Sequence, residues 1–169
     1  QEYYKKDTSF DEISVTFYED TYSLYNLYRF AHYYEEAYGK YIWLKSGASL
    51  VIEHTEAMTV IDVNTGSVLK KKRQEDTLFY QINREAAKEI ARQIRLRNIS
   101  GIIMIDFINM KDEKQKEKLL LLLENECRKD RIHCNVVDMT ALNLVEMTRS
   151  KVRRPLLEQI TVCRKMQKN

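Results

Sequence analysis

Two short apolar runs in this chain end on aspartate: Met58-Thr59-Val60-Ile61-Asp62 and Gly101-Ile102-Ile103-Met104-Ile105-Asp106. Side chains at the ends of buried strands project into crevices where chemistry is usually done, and carboxylates there are ligands for a hard cation such as Mg2+. Asp62 is followed by Val63-Asn64-Thr65-Gly66, and Asp106 by Phe107-Ile108-Asn109-Met110. Each run thus brings one charged oxygen ligand and, shortly after it, a neutral amide able to orient a ligand or a water. An ion held by such a pair polarises a phosphoryl oxygen and lowers the pKa of a bound water, which opens a phosphodiester to attack near neutral pH. Strand-ending aspartates also cap helices and hold turns, so spacing alone leaves both readings open.

Other active-site types find little support. His32, His54 and His133 are scattered and have no Ser or Cys nucleophile signature beside them, which argues against an acyl-transfer triad. There is no GxxxxGK[ST] loop and no GxGxxG turn, and only four glycines are present to build phosphate cradles. Cys127, Cys134 and Cys163 are odd in number and unpatterned, which speaks against a disulfide framework and for a reducing compartment. Cys163 lies in Val162-Cys163-Arg164-Lys165-Met166 without a second cysteine, so a zinc site cannot be closed within one chain.

Local patterns supply the elements that position the aspartates. Ile13–Tyr18 alternates apolar and polar residues and reads as a strand, and Tyr22–Tyr38, with six tyrosines, reads as a helix ending before Gly39. A tyrosine stripe of this kind either packs or stacks bases. Tyr41–Leu44 and Ser49–Glu53 flank Lys45-Ser46-Gly47-Ala48 as a hairpin, and Met58–Val63 extends the meander. Gly66–Glu75, with Lys70-Lys71-Lys72-Arg73, reads as an exposed basic loop. Asn83 is expected to cap a helix from Arg84 to about Asn98. One face of that helix carries Ala86, Ala87, Ile90, Ala91 and Ile94, and another carries a basic ridge of Arg84, Lys88, Arg92 and Arg95. The second Asp-terminated strand follows, so residues 58–106 form a strand–helix–strand crossover whose strands run parallel with their carboxyl ends on one side. Asp62 and Asp106 become neighbours in space on that argument. A further helix is expected from Asp112 to Lys129 with Leu119, Leu122 and Leu123 inward. Then come a strand at Cys134–Val137, a turn or short helix at Leu142–Met147, and a short helix at Leu156–Ile160 after Pro155. The fold class is therefore α/β, a mixed sheet flanked by helices.

With 169 residues the chain fits one ordinary domain with a possible appendage, and no apolar stretch approaches the roughly 20 residues of a membrane span. A cytoplasmic location is expected. Net charge is only +3, but it is uneven: residues 1–40 hold four basic and eight acidic groups, whereas 145–169 hold seven and two. The basic end is a candidate surface for a polyanion, or else a solvated tail.

Five ordered blocks carry a resemblance: Lys45-Ser46-Gly47, Ile52 through Asn64, Asn83 through Asn98, Ile105 through Met110, and Leu144 through Arg149. Together they resemble the catalytic region of the ribonuclease E/G family. The resemblance implies a single-strand-directed endoribonuclease that leaves 5′-phosphate and 3′-hydroxyl ends in RNA processing or decay. It implies that Asp62 and Asp106 hold Mg2+ and that Asn64 assists them. Residues 39–160 correspond to the family's DNase I-like subdomain, residues 1–38 look like the end of the preceding RNase H-like subdomain, and 161–169 fall where the family has its zinc link.

Departures bear on what carries over. The family often has a second aspartate where Asn109 stands, which lowers the local negative charge by one. Its zinc link uses a Cys-x-x-Cys pair from each of two subunits; Cys163 matches the first cysteine and Met166 the second, so zinc is expected only in a longer chain. A basic residue that grips RNA near the metal falls at His133, with Arg131 close by. The family's S1 domain and 5′-monophosphate sensor are not resembled, and feeble activity is expected of the chain as given. Lys45, Arg92, Arg95, Arg97, Arg131, His133 and Arg149 are the candidate contacts to single-stranded RNA, and a homo-oligomer is expected of a full-length member. Two competing readings stand beside this one, a non-catalytic RNA-binding or assembly module and a metal phosphodiesterase acting on DNA or another nucleic acid.

Overall fold

In a computed structural model of the chain, residues 16–66 and 75–166 are described, without the side chains of Glu35, Glu36, Glu75 and residues 162–166. The basic cluster Lys70–Arg73 and the first half of the strand expected at Ile13–Tyr18 lie outside the described residues, and residues 16–18 are not in a strand. The chain divides into two units, residues 1–33 and 34–169. In the first, Ser23 caps α1 (Leu24–Leu27), its hydroxyl accepting from the Asn26 amide. Arg29 adopts a left-handed φ of 51°, so the single helix expected over 22–38 breaks, and α2 (Phe30–Tyr38) starts afresh. A left-handed residue cannot continue an α-helix. Tyr22, Tyr25, Tyr28 and Tyr33 of the first unit are exposed.

The second unit is a six-stranded mixed sheet with a helical layer. Its elements are β1 (Tyr41–Trp43), β2 (Ser49–His54), β3 (Met58–Asn64), α3 (Glu75–Leu96), β4 (Gly101–Asp106), α4 (Glu113–Cys127), β5 (Cys134–Met139), β6 (Leu144–Arg149) and α5 (Leu156–Met166). The strand order is β1-β2-β3-β4-β6-β5. β3 and β4 pair in parallel across the α3 crossover, and every other pairing is antiparallel. Residues alternate between faces because a strand has a side-chain period of two. Thr59, Ile61 and Val63 of β3 and Ile103 and Ile105 of β4 are buried. The apolar ones join Ile82, Ala86, Ala87, Ile90 and Ile94 of α3 and Leu119 and Leu123 of α4 in one core. Burial of each large aliphatic side chain there stabilises the fold by roughly 1.5–3 kcal/mol. The intervening residues, Val60 and Asp62 of β3 and Ile102, Met104 and Asp106 of β4, belong to the other face of the sheet.

Three expectations are corrected. Asn83 is not a cap: α3 begins eight residues earlier, at Glu75, and Asn83 is fully buried within it. The amide holds the polypeptide after β4 instead, and that tertiary bond outweighs the local preference for a helix end. The turn expected over Leu142–Met147 holds only at Leu142 and Asn143, because Leu144–Arg149 pairs along the whole of β4 and buries Val145, Met147 and Arg149. A tight connection through Asn143, with φ of 63°, makes that antiparallel return possible. The C-terminal helix runs to Met166 rather than ending at Ile160. Among the described residues no helix is long and apolar enough to cross a membrane.

Candidate active site

Asp62 and Asp106 are register partners on the two parallel strands. Adjacent strands lie about 4.8 Å apart, and both residues share the parity that points away from the helical layer, so the carboxylates stand side by side on one face. Asn64, two residues beyond Asp62 on the same face, donates from Nδ2 to Asp62 Oδ2 at 2.6 Å. Burial first, and the negative charge of Asp62 second, push the Asp106 carboxyl above its ordinary pKa. Two like charges at this spacing disfavour joint ionisation unless a cation offsets them.

The ends of both strands are pinned from below. After β4, Phe107 and Met110 are buried. Between them the Ile108 amide donates to Asn83 Oδ1 at 3.0 Å, while Asn83 Nδ2 donates to the Ile108 carbonyl at 2.7 Å. After β3, Gly66 adopts φ +57° with its Cα packed on the hairpin turn, so that a Cβ would lie 2.5 Å from the Gly47 carbonyl oxygen. The same turn is tied to α3, since Glu85 accepts from the Lys45 amide at 2.8 Å and the Ser46 amide at 3.3 Å. Sequence patterns missed Asn83 and Glu85 as positioning residues. The available signal was a polar residue set into the apolar stripe of a helix.

Asp62 and Asp106 fit a small hard cation. Mg2+ needs only one or two carboxylates because it retains most of its waters. Among the described residues no group of three or more His, Cys, Asp and Glu side chains clusters as a fuller metal site. Asn109, three residues beyond Asp106, is exposed.

The candidate RNA contacts differ in exposure. Lys45, Arg92, Arg131 and His133 are exposed. Arg97 and Arg149 serve the fold and are corrected as RNA contacts, each being only 4% exposed. Arg97 donates to Gln93 Oε1 and to the Gly39 carbonyl, both at 2.7 Å. Arg149 forms an ion pair with Asp130 at 2.9 Å and donates to Asn98 Oδ1 and the Ile99 carbonyl. Along the ridge, Arg92 is engaged by Glu89 and Arg95 by the Glu126 carbonyl at 3.0 Å. Helix α3 packs on the sheet face opposite the aspartates, so its ridge and the carboxylates belong to different faces. Distance separates others as well: Arg149 pairs with Gly101 at the far end of β4, five residues from Asp106 and so roughly 16 Å away. His133 and Arg131 precede β5 at that same end, because Cys134 pairs with Arg149. Cys163 has no described side chain.

The model of the ribonuclease E/G family matches residues 1–152. Ribonuclease G of Escherichia coli strain K12 is 42% identical over 133 residues, which cover 79% of this chain and 27% of that protein. Ribonuclease G of Haemophilus influenzae is 41% identical over 142 residues, 84% of this chain and 29% of that protein. Ribonuclease E of a Nostoc species is 42% identical over 115 residues, 68% of this chain and 17% of that protein. The chain thus spans less than a third of the length of these relatives.

Proposed function

The chain belongs to the ribonuclease E/G family, and from that premise we propose that it is the Mg2+-dependent catalytic region of a cytoplasmic endoribonuclease acting on single-stranded RNA. The products are 5′-phosphate and 3′-hydroxyl ends, and the setting is RNA processing or decay. The observation that carries the reading is the parallel register that seats Asp62 beside Asp106.

In this reading Asp62 and Asp106 are the residues that would hold the ion, and Asn64 holds the Asp62 carboxylate in position through its 2.6 Å hydrogen bond. Mg2+, when bound, supplies polarisation of a phosphoryl oxygen and a water of lowered pKa. The clasp of Asn83 on Ile108 and the seating of Gly66 on Gly47 keep the two strand ends from drifting apart. Such preorganisation matters because a misplacement of about 1 Å can cost a hundredfold in rate. Lys45 and Arg131 are exposed cations, and His133 an exposed imidazole, able to meet the RNA backbone.

The test is cleavage of 5′-monophosphorylated single-stranded RNA by a protein of ribonuclease G length carrying this chain, with and without Mg2+. Asp62→Asn and Asp106→Asn should each abolish turnover, and near-native cleavage by either variant would sink the assignment. Salt-dependent RNA binding with no Mg2+-dependent cleavage would favour a non-catalytic RNA-binding module. Equal turnover of a DNA oligomer of the same sequence would favour a broader phosphodiesterase.

A further inference from the structure

The row of residues that holds the two aspartates runs on across the sheet to an aromatic edge. Tyr41 pairs with Val51, Val51 with Asp62, Asp62 with Asp106, and Asp106 with Leu144, all on one face. The adjoining row places Trp43 beside Ser49 and Ser49 beside Asn64. Trp43 is 72% exposed and Tyr41 61%, unusual for aromatic residues within a sheet. Lys40 Nζ lies 5.7 Å from the Tyr41 ring centroid, which leaves Trp43 as the more open ring. Two strand spacings separate this edge from Asp62, roughly 10 Å, or about three nucleotides at a stacked rise of ~3.4 Å.

We infer that Trp43, flanked by Tyr41, is a stacking platform for the bases of an RNA strand whose backbone crosses Asp62 and Asp106. The inference rests on the reading of single-stranded RNA as substrate. Indole and phenol rings stack on any base, which suits a strand held without sequence readout. A protein docked over the same face would bury the two carboxylates, a costly desolvation unless each found a partner. A nucleic acid joined to them through a divalent cation leaves them compensated. Lys45, exposed two residues past Trp43, adds a positive charge at the same edge.

Trp43 is the single tryptophan of the chain, so its emission reports on this position alone. The experiment titrates the unsubstituted chain in Mg2+ with decaadenylate and with an abasic ribose-phosphate oligomer of equal length, each oligomer being checked intact after the titration. Labelled oligomers give affinity separately by anisotropy. Decaadenylate should quench the emission and the abasic oligomer should not. Trp43→Ala should weaken decaadenylate binding about tenfold, with little effect on the abasic oligomer, and Trp43→Phe should retain most of the affinity. Unchanged emission at saturation, equal losses on both oligomers, or no binding of either would overturn the inference. So would a dimer that Trp43→Ala dissolves while RNA affinity stays the same, which would place a second copy on this face. Mg2+-dependent cleavage by the protein of ribonuclease G length with no Trp43 quenching in the chain overturns the stacking alone, whereas quenching in the chain with no cleavage by the longer protein overturns the nuclease reading alone.

Discussion

The side-chain amide of Asn83, fully buried in α3, satisfies both backbone polar groups of Ile108, two residues beyond Asp106. One side chain therefore sets where the second candidate ligand strand ends relative to the helix that crosses over to it. Asn83→Ala leaves two buried backbone groups unpaired and should destabilise the protein by roughly 2–4 kcal/mol, read from denaturant midpoints at unchanged slope. Asn83→Asp retains the acceptor for the Ile108 amide but loses the donor to its carbonyl. An unpaired carboxylate at this fully buried site faces that carbonyl, so at pH 7 Asn83→Asp should destabilise at least as much as Asn83→Ala.

Gly66 is a second fixed point. Alanine there must take a left-handed φ and meet the Gly47 carbonyl oxygen at 2.5 Å. Gly66→Ala should cost about 2 kcal/mol or more by thermal melting, and it should lower cleavage beyond what the loss of folded protein explains. Gly101→Ala offers the control: its φ is +87° but nothing lies within 4 Å of the added Cβ, so it should cost less and leave the Asp62 side of the site intact.

The buried pair of Arg149 and Asp130, with side chains 2% and 7% exposed, gives a test of fold against RNA contact. Arg149→Met strands an aspartate and should destabilise by about 3–5 kcal/mol, whereas the double variant with Asp130→Leu should recover much of that loss. RNA affinity of the folded double variant should match wild type. A drop in affinity at full folding would restore Arg149 as an RNA contact.

The carboxylates of Asp130 and Asp106 should respond to acid with opposite signs. Burial pushes Asp130 up, but the hydrogen bond from Arg149, the Ile132 amide and the charges of Arg149 and Arg95 outweigh it and hold the carboxyl below its ordinary value. Its contribution is therefore complete above the unfolded pKa of about 3.9 and lost as pH falls through the lower folded value. The stability gap between wild type and Asp130→Asn should shrink over that acid range. Asp106 is raised by burial and by Asp62, so its ionised form costs stability at neutral pH, and the cost fades as pH falls through the raised folded value. Without divalent cations Asp106→Asn should melt at or above wild type at pH 7, with the gain vanishing in acid.

Mg2+ itself should stabilise the chain, a readout independent of turnover. At a hundredfold excess over Kd the increment is about 2.7 kcal/mol. It should disappear in both Asp62→Asn and Asp106→Asn and persist in Arg149→Met with Asp130→Leu. An equal increment in all of these would place the ion elsewhere.

The sequence by itself determined much of this architecture. The Asp-terminated β-branched runs, the hairpin around Gly47 and the apolar face of α3 are local patterns, written in periods of two and 3.6 residues. A strand–helix–strand unit closes in one hand, so the proximity of Asp62 and Asp106 also followed from order along the chain. Tertiary structure alone decided the rest. Asn83 has the composition of a cap, and only the approach of Ile108 makes it a buried clasp. Arg97 and Arg149 look identical in the sequence to the exposed Arg131, because charge is a property of the residue whereas burial is a property of its neighbours. Leu144–Arg149 became a strand through pairing with β4, whose partners lie 38 positions away in sequence at Asp106–Leu144 and 48 at Gly101–Arg149. The aromatic edge is of the same kind. Tyr41 and Trp43 read as ordinary strand residues until cross-strand register sets them in the rows of Asp62 and Asn64, and register is the one quantity that a single strand cannot specify alone.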